Sequence, residues 1–237
     1  MTAHRGATLR AALIDLDGTL LDTAPDLAAA VWSMLSELRL RPLAESEIRD
    51  FIGQGVARLV RRCIEAAGAP SDAEVFEAGL SAFSRAYEDE SGRRTRFYPG
   101  VIEGLDELSS QGIALACVTN KIGRFTAPLL QRTGLAERFD VVVTGDSVPQ
   151  LKPHPEPLLL ACRRLRVGPG EAVVIGDSRN DVVAARAAGC RVLCVPYGYT
   201  EGQPVSALGC DAVVADLREA ARYVRNANRE ANETAAR

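Results

Sequence analysis

From residue 95 onward, short unbroken runs of branched apolar residues alternate with segments whose apolar positions recur every three or four residues. The unbroken runs are "IALACVTN", "FDVVVTGD", "AVVIGDS", "RVLCVPYG" and "DAVVADL". Between and after them stand "RFTAPLLQRTG", "PEPLLLACRRLRVG", "SRNDVVAARAAG" and the tail beginning at Leu217. Runs that do not alternate belong to strands covered on both faces, and helices between successive strands make those strands parallel. With "RAALIDLD" added at the start, the pattern predicts a doubly wound α/β domain.

Residues 22–90 carry a different pattern. Leu27, Val31, Met34, Leu35 and Leu38 repeat at helical spacing, and Thr23 with Asp26 resembles a capping box at the start of that helix. A second amphipathic helix places Val56, Leu59, Val60, Cys63, Ile64 and Ala67 on one face, and a third is marked by Val75, Phe76, Leu80, Phe83 and Tyr87. No strand pattern interrupts them. The predicted organisation is therefore a discontinuous core, 1–21 and 91–237, with an all-helical module of 22–90 inserted after the first strand. "ESGRRTRFYPG" is expected to carry the return crossing, and the polar, alanine-rich tail after Asn226 is expected to fray.

Composition narrows the class of partner. A chain of 237 residues, 47% hydrophobic and 25% charged, can bury a core without staples, and a net charge of -3 gives no electrostatic argument for nucleic acid or an anionic membrane. The expected partner is a small molecule. Six cysteines without C-x-x-C spacing are expected to be reduced core residues, and the absence of a leader pattern or an apolar run of about 18 residues predicts a cytoplasmic protein.

Ligands of open parallel sheets gather beyond the carboxyl ends of the strands, and the residues there are chemically matched. Asp15 and Asp17 follow the first apolar run, Thr119 and Asn120 follow "IALACV", and Asp177, Ser178 and Asp181 follow "AVVIG". Lys152, in "LKPHPEP", comes shortly after "FDVVVTGD". Two carboxylates one residue apart at a strand end need something to offset their repulsion, and a hard divalent cation such as Mg²⁺ or a transferable proton does so. Thr119 and Asn120 offer hydrogen bonds to phosphate oxygens, Lys152 a positive charge, and a second carboxyl beside a nucleophilic one offers acid and base catalysis. Taken singly, each has a bland reading: Asp17-Gly18 as a turn, Thr119-Asn120 as a helix cap, Lys152 as solvated, Ser178 as an N-cap with Asp181 at its third position. Their joint occurrence, each behind a predicted strand, favours phosphoryl-transfer chemistry.

The stretches "DLDGTLLD", "VTNK", "LKPHPEP" and "GDSRND" resemble, in order, the four signature motifs of the haloacid dehalogenase superfamily. The resemblance implies a Rossmann-like core, a helical cap between the first motif and the second strand, and Mg²⁺-dependent aspartyl-phosphate chemistry. By position it implies Asp15 as nucleophile, Asp17 as acid/base and as metal ligand through its backbone carbonyl, and Asp177 as metal ligand. It further implies phosphate contacts from Thr119, Asn120 and Lys152, with Asp181 orienting Lys152 or a metal-bound water. The longer runs "DTAPDLAAAV", "FIGQGVARLVRR", "GDSRNDVVAARAAGC" and "YGYTEG" are most similar to the phosphoglycolate phosphatase branch, which hydrolyses 2-phosphoglycolate to glycolate and phosphate.

Within the helical insert, Gly53, Gln54 and Gly55 open the second helix, whose N-terminus suits an anion, and Arg58 is a candidate partner for a substrate carboxylate. The alternative is a glycine helix start with an ordinary solvated face. His154 is expected to pack in its loop beside prolines, His4 lies in a loose N-terminus, and Trp32 sits off the main apolar stripe. Alternatives to hydrolysis of this ester are hydrolysis of another small phosphate ester, a phosphosugar mutase on the same core, and a non-catalytic phosphate-ligand sensor. A dehalogenase fits less well, because a halide leaving group needs neither Mg²⁺ nor an acid at Asp17. Monomer and homodimer are both compatible with the sequence.

Overall fold

The computed structural model describes residues 7–70, 72–200 and 202–235, so His4 lies outside the described residues. Six parallel strands form the main sheet: β1 (Ala11–Ile14), β4 (Ala114–Val118), β5 (Val141–Val143), β6 (Ala172–Gly176), β7 (Arg191–Cys194) and β8 (Ala212–Val213), in the spatial order β5-β4-β1-β6-β7-β8. The chain moves outward in one direction from β1 to β5, then returns to the other side of β1 with β6. This is the doubly wound arrangement, and its crevice opens beyond β1 and β6, where the strand order reverses. β1 is central and fully buried, in register with β4 through Leu13 and Ala116 and with β6 through Leu13 and Val174.

The two faces are covered as the unbroken apolar runs require. On one side, Ile14, Leu115, Cys117 and Val173 pack with residues of α5 (Val101–Ser110) and α9 (Leu217–Ala235). On the other, Leu13, Ala116 and Val174 pack with α7 (Glu156–Leu165) and α8 (Arg179–Ala188). The helix α6 (Gly123–Arg132) follows β4. All six cysteines are unpaired and five are buried. No helix among the described residues is long and apolar enough to cross a membrane.

Between β1 and the rest of the sheet lie β2 (Leu21–Asp22), α1 (Ala24–Glu37), α2 (Glu45–Arg49), α3 (Val56–Ala66), α4 (Ala73–Glu90) and β3 (Arg96–Phe97). The four helices share an apolar cluster separate from the two sheet faces, joined by Phe125 and Tyr199. Trp32 packs against this cluster and donates its indole N–H to the Leu43 carbonyl at 2.8 Å. β2 and β3 pair antiparallel, so the outgoing and returning chains run side by side.

Two local expectations are corrected. Thr23 caps α1 without a side-chain cap hydrogen bond, and Asp26 does not close a capping box. Instead the buried Asp26 carboxylate accepts from the backbone N–H groups of Gly92, Arg94 and Thr95 at 2.8–3.0 Å and from the Thr95 hydroxyl at 2.7 Å. The carboxylate that resembled a local cap thus holds the return crossing, a partner almost 70 residues away in the chain. The tail after Asn226 is helical through Ala235 rather than frayed. Asn228 exchanges two hydrogen bonds with the Leu9 backbone, at 2.6 and 2.9 Å, and Ala231 is buried, so tertiary contacts hold a segment whose composition alone is weak.

Candidate active site

β1 and β6 end side by side, and the Asp15 N–H continues their ladder to the Ile175 carbonyl at 2.9 Å. The next residues turn out of the sheet at the crevice. Oxygens of Asp15, Asp177 and Asp181 lie within 4.8 Å of one another. Lys152 Nζ bridges two of them, 2.9 Å from Asp15 Oδ1 and 2.7 Å from Asp181 Oδ1, and also donates to the Val118 carbonyl at 2.7 Å. Asp181 Oδ2 accepts from the Ser178 hydroxyl at 2.7 Å and its N–H at 3.2 Å, so Ser178 and Asp181 together begin α8 and hold Lys152. The helix-start reading and the site reading of this pair coexist.

Asp177 is buried, accepting from the Thr19 hydroxyl at 2.8 Å and the Tyr199 N–H at 2.5 Å. Gly18 makes this approach possible: its φ is +91°, and a Cβ there would stand 2.3 Å from Asp177 Oδ2. The Tyr199 hydroxyl accepts from the N–H groups of Thr23 and Ala24 and donates to Asp22, so one residue ties Asp177 to the point where the chain enters the helices.

Burial pushes the Asp15 carboxyl up to about 7, against the pull of Lys152, and burial with the nearby charges of Asp181 and Asp15 pushes Asp177 well above the carboxylate range. Burial also opposes the charge of Lys152, but Asp15 and Asp181 outweigh it and hold the ammonium above its ordinary range. Around the crevice, Asp15, Asp17, Asp177 and Asp181 face two ammonium groups, Lys152 and Lys121. With all four carboxylates ionised, the deficit of two positive charges and the all-oxygen donor set fit one hard divalent cation.

Lys121 escaped the sequence reading. It is buried, with Nζ 2.9 and 3.1 Å from the two carboxylate oxygens of Asp17, whose Oδ1 also accepts from the Thr23 hydroxyl at 2.6 Å. Burial opposes its charge, but Asp17 holds it above the ordinary lysine range. The signal lay in the charge count: four acids at the strand ends were set against Lys152 alone.

Asn120 is placed differently from a simple phosphate donor. Its carboxamide accepts from the Lys152 N–H and donates to the Lys152 carbonyl, both at 2.9 Å, and donates to the Gly53 carbonyl at 2.9 Å. Thr119 lies beside it at the mouth of β4, with its hydroxyl accepting from the Lys121 N–H at 3.1 Å. Asp15, Asp17, Thr119, Asn120 and Lys121 form one wall of a cavity of about 40 Å³, and Leu27, Ile52, Gly53, Gly55, Val56 and Leu59 form the other.

Gln54 and Arg58 do not line this cavity. They border a groove of about 630 Å³ on the outer face of α3, with Arg61, Arg62, Glu65 and Phe76. His154 is exposed, and its Nδ1 accepts from the Glu156 N–H at 3.2 Å at the start of α7.

Residues 12–195, which carry this sheet-end cluster, match a family model described as haloacid dehalogenase-like hydrolase. The chain belongs to that family. Among haloacid dehalogenase-like relatives, a phosphoglycolate phosphatase of Nitrosospira multiformis is 47% identical over 227 residues, covering 95% of this chain and 100% of that one. A plasmid-encoded phosphoglycolate phosphatase of Cupriavidus necator is 47% identical over 207 residues, covering 87% and 89%. A crystal structure described as a predicted phosphoglycolate phosphatase from Haemophilus somnus superposes with a TM-score of 0.86 at 32% identity, over 91% of this chain and 97% of that one. The parallel core and the helical insert thus follow a family architecture.

Proposed function

We propose that this chain is a Mg²⁺-dependent phosphatase that hydrolyses 2-phosphoglycolate to glycolate and phosphate through an aspartyl-phosphate on Asp15. The observation that carries the chemistry is the placement of Asp15 and Asp17 on one cavity wall, with Lys152 Nζ 2.9 Å from Asp15. The substrate is supported by the relatives of 47% identity, and the cavity of about 40 Å³, on the scale of a few waters, leaves no room for a nucleotide while the helices stay closed.

In the first half-reaction an Asp15 oxygen attacks phosphorus, the bond from phosphorus to the ester oxygen breaks, and Asp17 delivers a proton to the departing alkoxide. In the second, Asp17 takes a proton from water, whose oxygen attacks the same phosphorus and restores the Asp15 carboxylate. Lys152 neutralises Asp15 and the transferring group, and the Thr119 hydroxyl with the Asn120 main-chain N–H would receive the equatorial oxygens. Mg²⁺, held by Asp15, Asp177 and the Asp17 carbonyl, would supply the remaining positive charge. Residues 22–90 would act as a cap that opens to admit substrate and closes to exclude bulk water.

The test is phosphate release from 2-phosphoglycolate against a panel of sugar phosphates and nucleotides, with Mg²⁺ and then with chelator. Mg²⁺-dependent preference for 2-phosphoglycolate is expected. Release from a different ester would discard the substrate and keep the chemistry; an isomeric phosphosugar in place of free phosphate would make the chain a mutase.

A further inference from the structure

We infer that Lys121 is the residue that selects a carboxylate-bearing phosphate ester, by binding the carboxylate of the leaving group. This inference rests on the proposed hydrolysis of 2-phosphoglycolate and assigns the recognition of its second anionic group to the core wall.

The cap wall of the cavity carries no charge: Leu27, Ile52, Val56 and Leu59 are apolar, and Gly53 and Gly55 have no side chain. Arg58, Arg61 and Arg62 border the outer groove instead. Arg49 is held at the entry to the helices, 3.3 Å from Asp22 and over the Tyr199 ring. Lys152 is committed below the cavity to Asp15, Asp181 and the Val118 carbonyl. Among the described residues that line the cavity, Lys121 is the cation.

The position of Lys121 follows the covalent geometry of the leaving group. Asp17, as the acid, must stand about 3 Å from the ester oxygen. In a 2-phospho acid the carboxylate is one carbon beyond that oxygen, so its nearer oxygen falls about 3 Å from the ester oxygen. Lys121 Nζ is 2.9 Å from Asp17. Three sides of similar length close a small figure, and a cation touching Asp17 is within reach of a carboxylate attached one carbon from the atom Asp17 protonates. A phosphate ester whose second carbon is a methyl group gives this ammonium nothing to bind.

Burial strengthens the discrimination. Lys121 is only 5% exposed, and the Tyr87 ring lies 5.0 Å from its Nζ. A buried ammonium gains more from a second anion than an exposed one does, and a neutral substituent there adds nothing to the pairing with Asp17.

The experiment measures kcat/KM for 2-phosphoglycolate and for ethyl phosphate, which differ by a carboxylate against a methyl, in the wild-type chain, Lys121→Met and Lys121→Arg. The wild type is expected to prefer phosphoglycolate, and Lys121→Met to reduce that preference by about 10- to 150-fold, the range for a charged hydrogen bond. Lys121→Arg is expected to restore part of it. Because both substrates report on the same folded molecules, the ratio is indifferent to partial unfolding. Equal losses on the two esters would mean that Lys121 only holds Asp17, and would overturn the inference while leaving the phosphatase intact. A wild type that releases phosphate from ethyl phosphate but not from phosphoglycolate would overturn the substrate reading, and this inference with it.

Discussion

The sheet end gathers four carboxylates and two ammonium groups, of which Asp15, Asp17 and Lys121 line the cavity, whereas the facing wall consists of aliphatic side chains and two glycines. The core wall is polar because β1, β4 and β6 end together and deliver their next residues to one edge. The helical wall is apolar because α3 turns its buried face, Leu59, Val60, Cys63 and Ile64, inward and sends Arg58, Arg61, Arg62 and Glu65 to the opposite side. Reactive groups therefore belong to the sheet-end wall, and the helical wall bounds the cavity with apolar side chains alone.

This contrast can be broken most severely at the nucleophile. Asp15→Asn is expected to lower phosphate release by about 10⁴-fold or more while the melting temperature stays within a few degrees, because Asn keeps the size and shape of the side chain. Retained turnover would remove Asp15 from the mechanism. A second break lies in the connection between the walls. Asp26→Ala would strip the acceptor from three backbone N–H groups of the return crossing, and is expected to cost about 3–5 kcal/mol in denaturant unfolding.

A smaller effect comes from the charge surplus. The Asp15 carboxyl is raised from 3.8 to about 7 in the protein without metal, so the folded state binds a proton more tightly than the unfolded state does. That contribution to stability is fully present below about 3.8 and is lost as pH rises through 7. With chelator present, the melting temperature is expected to fall between pH 5.5 and 8, and Mg²⁺ to raise it more at pH 8 than at pH 5.5. A Mg²⁺ response independent of pH would count against the acidic crevice as the metal site. The smallest effect sharpens the contrast from outside: Arg58→Ala, on the outer groove, is expected to change kcat/KM by less than about twofold. A tenfold loss would bring Arg58 back to the substrate.

Most of the sheet was legible because apolar runs buried on both faces leave little choice of structure, and the site because its groups follow those runs directly. Short elements carried too little periodicity: α2 has five residues, and β2 and β3 have two each. The pattern also left Val101–Ser110 unassigned, although Val101, Leu105 and Leu108 have helical spacing. Arg58 was misplaced for a geometric reason. It shares a stripe with Arg61, Arg62 and Glu65 at intervals of three and four, a half-turn away from Leu59 and Val56, and closeness in sequence to the glycine loop does not decide which face it joins. Lys121 and the role of Asn120 were hidden because their partners are more than 30 residues distant.

The Asn120 carboxamide joins the two walls of the cavity. Two of its hydrogen bonds fix the peptide of Lys152 and the third ends on Gly53 in the opposite wall, so the opening proposed for residues 22–90 breaks the Gly53 bond and leaves the two to Lys152. One side chain thereby forms the seam between the sheet end and the helices: the bond that parts on the proposed opening ends on Gly53, and the bonds that hold the Lys152 peptide lie on the core side.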